Sequence, residues 1–314
     1  VNKPVKISVV ICTYNGADRL KTAIDSLTAQ SYNAERFEIL IIDNNSEDST
    51  KEVCERIISD FSSVKIKYFL EENMGLSYAR NRGIKESCGE IVAFIDDDAR
   101  ADRDWLLNID KVFSNTSVFA VGGKVLPIFE VPRPSWLSSG IDSSLTILDL
   151  GDEVMPFNYP YNSPCGTNMA FRRTVFEKIG YFDPALGRIG NRLSSGEETD
   201  MFVRMELNNM DYIYCPDCIV YHLVPKDRMT KSSVRKRFYN QGRSIAHVSL
   251  KYNSLFGAIL KDIRSLISRR ANTQPASKSF GKKGFFYYEA KFILYASYLF
   301  FLFKNALMPS KSRL

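Results

Sequence analysis

The chain has 314 residues, 45% of them apolar and 25% charged, with a net charge of +6 and six cysteines without dense or regular spacing. This is ordinary globular composition, enough for one large domain or one and a half, and it excludes a disulfide framework; reduced thiols and a cytosolic setting are expected. The charge is uneven: residues 226–284 hold fifteen Lys/Arg and two Asp/Glu, about +13, which leaves the rest near −7 and points to an anionic partner for the C-terminal part.

In chain order, Ile7–Cys12 reads as a first strand, followed by the turn Thr13-Tyr14-Asn15-Gly16. Its apolar run of six residues is too short for a secretory signal. Leu20, Ala23, Ile24 and Leu27 recur at helical spacing. Glu38–Asp43 is a second strand, and Ser46 is placed to cap a helix with Val53, Ile57 and Phe61 on its apolar face. Lys65–Leu70 is a third strand; Leu76, Ala79 and Ile84 mark a third helix; Ile91–Ile95 is a fourth strand running into Asp96-Asp97-Asp98. This β-α-β-α-β-α-β order with short connections calls for a parallel sheet covered on both faces, with ligands bound beyond the strands' carboxyl ends. Those ends carry Thr13-Tyr14-Asn15, Asp43, Glu71-Glu72-Asn73 and the three aspartates. Adjacent carboxylates about 4 Å apart repel by roughly 4 kcal/mol at an effective dielectric of 20, so the triplet invites a hard divalent cation, Mn²⁺ or Mg²⁺. A solvated acidic turn is the alternative for such a triplet taken alone. Neither GxGxxG nor GxxxxGK[ST] follows the first strand, which disfavours a dinucleotide enzyme or a P-loop ATPase.

Further on, Asp104–Phe113 reads as a helix and Val118–Leu126 as a strand interrupted by Gly122-Gly123. Residues 127–165 are irregular, a length typical of functional loops. Cys165–Phe171 reads as a strand, and Glu197-Glu198-Thr199-Asp200 opens a helix whose macrodipole favours acidic residues in its first turn. Tyr212–Cys215 and Cys218–His222 read as short strands, and the lone Cys215-Pro216-Asp217-Cys218 reads as core thiols rather than a zinc site. Beyond residue 226 the chain is basic with interleaved aromatics, and 271–284 is a polar linker. Phe285–Met308 is apolar and aromatic, but its longest uncharged run of twelve residues falls short of a bilayer span. It fits either an interfacial helix or a packed core helix. No nucleic-acid motif accompanies the basic charge.

Together these motifs resemble the inverting family-2 glycosyltransferases of the GT-A fold, over about residues 6–224. Ser8–Asn15 is similar to that family's opening strand, and Asp43-Asn44-Asn45-Ser46 to its DDxS element, with Asn44 in place of the second Asp. The stretch Asn73–Asn81 resembles NxGxxxARN, Asp96-Asp97-Asp98 fits DXD, and Gly166-Thr167-Asn168 with Gly180-Tyr181-Phe182-Asp183 resembles the acceptor side. Glu197-Glu198-Thr199-Asp200 fits the ED motif, with Glu198 where Asp is usual; Gln241-Gly242-Arg243 is not the QxxRW of processive synthases.

The resemblance implies an α/β, Rossmann-like, mostly parallel sheet flanked by helices. Its catalytic domain would be residues 1–225, and 226–314 a basic, helical extension. It implies transfer of a single sugar from a nucleotide-sugar, most often a UDP-sugar, to a hydroxyl of a glycan or lipid-linked acceptor, with Mn²⁺ or Mg²⁺. Thr13, Tyr14, Asn15, Asp43, Asn73, Asp96 and Asp97 would bind the donor, and Arg80 its diphosphate. Asp98, with Asp96 and His222, would hold the metal. Glu198 would be the general base and Glu197 its competitor; one residue turns a helical side chain by about 100°, so only one of the two is expected to face the donor. The extension would address an anionic membrane surface, peripherally on the inner face of the cell membrane. Two alternatives are a catalytically silent sugar-nucleotide-binding or scaffold protein, and a nucleotidylyltransferase, whose Gly-rich basic loop is missing after the first strand.

Overall fold

The computed structural model describes residues 5–157, 162–190, 195–252 and 284–306. Its first half alternates β1 (Ile7–Thr13), α1 (Leu20–Thr28), β2 (Phe37–Asp43), α2 (Thr50–Asp60), β3 (Lys65–Leu70), α3 (Leu76–Glu86) and β4 (Ile91–Asp96). The four strands are parallel, in spatial order β3-β2-β1-β4. Every residue of β2 is buried, because helices cover both faces. Ile7, Val9 and Ile11 of β1 pack with Leu20, Ile24 and Ile57 on one face. Val10 points the other way, to Ala79, Ile84 and Phe94.

The second half makes the sheet mixed. It contains β5 (Ala99–Ala101), α4 (Trp105–Phe113), β6 (Val118–Phe129), β7 (Met155–Pro156), β8 (Met169–Arg172), α5 (Arg173–Ile179), α6 (Glu197–Leu207) and β9 (Asp211–Val224). β8 runs antiparallel between β4 and β6, β9 pairs parallel with β6, and β5 and β7 add to β9 antiparallel. After β1, β2 and β3 step outward on one side, β4 returns to the other side of β1. The switch point therefore lies between the ends of β1 and β4, where open α/β sheets bind ligands.

Several expectations are corrected here. Ser46 does not cap α2, which begins at Thr50 after Ser49; its hydroxyl accepts from the Asn15 backbone N–H instead. Gly122-Gly123 does not end β6, which runs on to Phe129, but its pairing with β8 stops at Gly122 and its register against β9 shifts between Gly123 and Val125. The two strands expected at 212–215 and 218–222 are one, its register irregular opposite Gly123–Val125, where the Cys215–Cys218 stretch bulges out. Both thiols are buried in the main core and all six cysteines are free. Cys165 opens a turn closed on Asn168, and β8 starts only at Met169.

The C-terminal part consists of α7 (Lys231–Tyr252) and α8 (Phe285–Ala306); the expected linker at 271–283 and Met308 lie outside the described residues. α8 packs into a core on one side and is open on the other. Phe286, Ala290 and Leu294 pack with Val234 and Phe238 of α7 and with Ile141 and Leu145 of a 3₁₀ turn at Ser139–Leu145. Its other side leaves Phe285, Tyr288, Phe292, Phe300 and Phe303 exposed. The two helices approach so closely at Gly242 that a β-carbon there would strike the backbone of Leu294 and Tyr298. No helix among the described residues is long and apolar enough to cross a membrane.

Candidate active site

At the switch point lies a cleft of about 430 Å³, within the range of small-ligand sites. Thr13 and Tyr14 line it from β1, Asp96, Asp97 and Asp98 from β4, Arg80 from α3, and Glu197 and Glu198 from α6. Those eight were expected at a site from sequence, and the fold brings them together. Asn15, Asp43, Asn73 and His222 do not line the cleft.

The β1–β4 edge is fixed by hydrogen bonds. Thr13 Oγ1 donates to Asp97 Oδ2 at 2.6 Å, and Arg19 Nη2 donates to the same oxygen at 3.1 Å. Asp97 is thus a partner inside the wall. Its burial, with Asp98 adding and Arg19 opposing, raises it to about 6. Burial, with Asp98 beside it, also raises Asp96. Asp43 sits behind the wall with both carboxylate oxygens engaged, Oδ1 by the Ser46 N–H at 2.9 Å and Oδ2 by the Tyr68 hydroxyl at 2.8 Å.

Asn44, the departure from the DDxS pattern, has its own work. Its Nδ2 donates to the Glu71 and Asn73 carbonyls at 3.2 and 2.7 Å, and its Oδ1 accepts from the Gly75 N–H at 2.7 Å. An aspartate could make only the last of these bonds. Asn73 is therefore held through its backbone, and its side chain turns to Glu71.

Asp98 goes the opposite way from Asp96 and is lowered: burial opposes its charge, but His222, when its Nε2 carries a proton, and then Arg228 and Arg188 outweigh it. His222 is buried, and its Nε2 stands 3.5 Å from Asp98 Oδ1. Arg228 Nη1 lies 3.0 Å from the same Nε2, and a guanidinium only donates. That bond uses the one lone pair of Nε2, so a cation would take Nε2 only by displacing Arg228, while Asp98 Oδ1 is a buried acceptor with no hydrogen-bond donor among the described residues. With Arg228 displaced, the 3.5 Å gap is one that two ligands of a single cation, at about 2.1 Å each, can span. Among the described residues no three His, Cys, Asp or Glu side chains form a complete metal cluster. Asp98 and His222 fit a cation that takes its other ligands from a diphosphate and water, as Mg²⁺ commonly does.

On the facing wall, Arg80 is buried and divided between two carboxylates: Nη1 donates to Glu197 Oε1 at 3.0 Å and Nη2 to Glu198 Oε1 at 3.1 Å. The diphosphate contact expected of Arg80 is not the one its hydrogen bonds make here. Both glutamates reach the cleft, but only Glu198 is partly exposed; Glu197 is buried, with Oε2 unpartnered. Burial, with the charge of Glu198 beside it, pushes Glu197 up to about 8 against the pull of Arg80. Gly166 leaves the space that Glu198 and Arg80 fill, since a β-carbon there would overlap both. Its loop is anchored by Asn168, which accepts from the buried Trp105 indole at 2.9 Å and donates to the Lys124 and Cys218 carbonyls.

Sequence reading missed Arg19, which holds Asp97, and the cleft residues Arg188, Arg228 and Arg237. Arg228 and Arg237 belong to the basic segment that was noted, but no spacing rule ties that segment to the sheet edge.

Residues 8–180 match the family model described as Glycosyl transferase family 2. The glucosyl-dolichyl phosphate glucuronosyltransferase of Haloferax volcanii is 29% identical over 275 residues, which cover 82% of this chain and 83% of that protein. Among solved structures, the mannosyltransferase PcManGT from Pyrobaculum calidifontis, in complex with GDP-Man and Mn²⁺, has a TM-score of 0.59 at 18% identity, covering 97% of this chain and 87% of that one. S. aureus TarS 1-349 in complex with UDP-GlcNAc has a TM-score of 0.58 at 17% identity, covering 98% and 78%. At these identities the two structures speak to the fold alone.

Proposed function

The chain belongs to glycosyl transferase family 2, with the GT-A fold, and from that premise we propose that it is a metal-dependent, inverting transferase of one sugar from a nucleotide-sugar to an acceptor hydroxyl. One observation carries this reading. Asp98, with the buried His222 3.5 Å behind it, shares a cleft with the Glu197–Arg80–Glu198 cluster, so a site for the leaving group and a site for a base open onto one space.

Thr13, Tyr14 and Asp96 bind the nucleoside end of the donor, with Asp43, Asn15 and Asn73 shaping the wall behind them. Asp98 and His222, with Asp96 nearby, would hold Mn²⁺ or Mg²⁺. When bound, such a cation supplies charge stabilisation to the departing diphosphate. Glu198 takes the proton of the acceptor hydroxyl as its oxygen attacks the anomeric carbon, and the bond to the diphosphate breaks on the opposite side. Glu198 is chosen over Glu197 because it is the one open to the cleft. Glu197 acts through Arg80, which fixes the orientation of the base.

The donor proposed is a UDP-sugar. The acceptor proposed is a lipid-linked or growing surface glycan, suggested by the printed name of the archaeal relative. The exposed aromatic side of α8 would then rest on the inner face of the cell membrane. The test is release of nucleoside diphosphate from a panel of UDP- and GDP-sugars, with Mn²⁺ and crude lipid extract. Turnover with one donor, lost on chelation, is expected. No turnover with any donor would favour a silent binding protein.

A further inference from the structure

The wall of the cleft facing the aspartates is basic, and the proposed reaction assigns it no ligand. Arg188 precedes α6, Arg228 follows β9, and Arg237 lies on α7; all three line the cleft and all lie beyond the segment matched by the family model. Among the described residues none of the three is in an ion pair, and the residues outside that description contain a single acidic side chain, Asp262. Arg228 and Arg237 are partly buried, and Arg237 Nε is fully shielded without a partner. Arg188 is exposed at the mouth of the cleft, but a solvated basic face would place Arg228 and Arg237 in water too, as it does Lys231, Lys236 and Arg243. Burial and the like charges of Arg228 and Arg188 push Arg237 down to about 9. A guanidinium does not release its proton in a protein, so an anion bound between these groups would offset their mutual repulsion.

Resting on the transferase reading, we propose that Arg188, Arg228 and Arg237 form a phosphate-binding wall, beside the Asp98–His222 position and supplied by segments beyond residue 180. Planar, multiply donating guanidinium groups are the side chains that grip phosphate oxygens. The chemistry admits two sources: the leaving diphosphate, which gains charge as its bond to sugar breaks, and a phosphate carried by the acceptor. Arg228 also donates to His222, so the two sites share a boundary.

The experiment measures binding to the full chain by calorimetry in two arms. The first titrates UDP and GDP with Mn²⁺; the second titrates decyl phosphate onto protein already saturated with nucleotide and Mn²⁺. Arg237→Gln is expected to weaken one arm by ~10-fold or more, the loss of one charge-assisted hydrogen bond. Arg237→Lys, which keeps the charge, restores most of that affinity. The control Arg243→Gln, exposed and outside the cleft, leaves both arms within about twofold. Loss in the first arm assigns the wall to the leaving diphosphate, and loss in the second to a phosphorylated acceptor. Both arms unchanged in Arg237→Gln, or equal loss in Arg243→Gln, overturns the wall while leaving the transferase reading intact. If the wild-type chain binds neither nucleotide with Mn²⁺, the transferase reading has failed. Inorganic pyrophosphate then decides the wall alone, which survives only if Arg237→Gln weakens its binding.

Discussion

The parallel half of the sheet and the C-terminal helix pair bury their residues in opposite ways. Strands β1, β2 and β4 are covered on both faces, so their tips are held from every side and Asp97 is locked by Thr13 and Arg19 before any ligand arrives. The pair α7 and α8 is anchored along one side only, and presents basic groups to the cleft and aromatic rings outward. A charge removed from the first region should therefore damage chemistry and spare the fold. Changes to the second should separate into effects on stability and effects on attachment.

The sharpest break of that comparison is Asp98→Ala. Turnover should fall by ~10³-fold or more, the scale of losing a preorganised charge-stabilising element, with little change in melting temperature. Unchanged Mn²⁺-dependent release of nucleoside diphosphate would show that the cation sits elsewhere. Next is Glu198→Gln, for which a loss of ~10²–10⁴-fold in kcat is expected with donor affinity retained, since only proton removal is affected. Glu197→Gln, acting through Arg80, should lose less; the reverse order would exchange their roles.

In the helix pair, replacing Phe292 and Phe300, 72% and 58% exposed, by serine should weaken binding to anionic vesicles by ~10-fold or more. Exposed sites leave the melting temperature nearly unchanged. Release by high salt with both rings intact would instead make the attachment electrostatic. Gly242→Ala should do the converse, destabilising by about 1–3 kcal/mol through overpacking against α8, with vesicle binding of the folded fraction preserved. A thermal melt reads it directly.

How much of this was legible in the sequence follows the same division. Continuous apolar runs ending in polar residues have one solution, a buried parallel strand with its tip at the switch point. The first four strands and the shared edge of Thr13 and Asp96–Asp98 could thus be read residue by residue, whereas Arg80 and Glu197–Glu198 were placed there only through the family resemblance. Strand continuity past Pro216 could not, because a bulge looks like a break. α8 is apolar nearly all round, so no periodicity distinguishes its buried side from its exposed one; only α7, with Gly242 admitting close contact, makes that choice. Arg188, Arg228 and Arg237 come from three separate segments, and their meeting is a tertiary fact.

The smallest predicted effect tests whether a carboxyl can be held neutral inside the rigid half. In the folded chain Glu197 titrates near 8, against an ordinary value of 4.5. Between those two values the folded protein binds more protons at this position than the unfolded chain does, so raising the pH through that window removes stability; below it the contribution is fully present. Glu197→Gln mimics the neutral form at every pH. Its melting temperature should therefore decline less between pH 5 and pH 8 than that of the wild type, with the two converging toward the acid end. If both decline in parallel, Glu197 is ionised in the folded state and Arg80 carries two full charges rather than one.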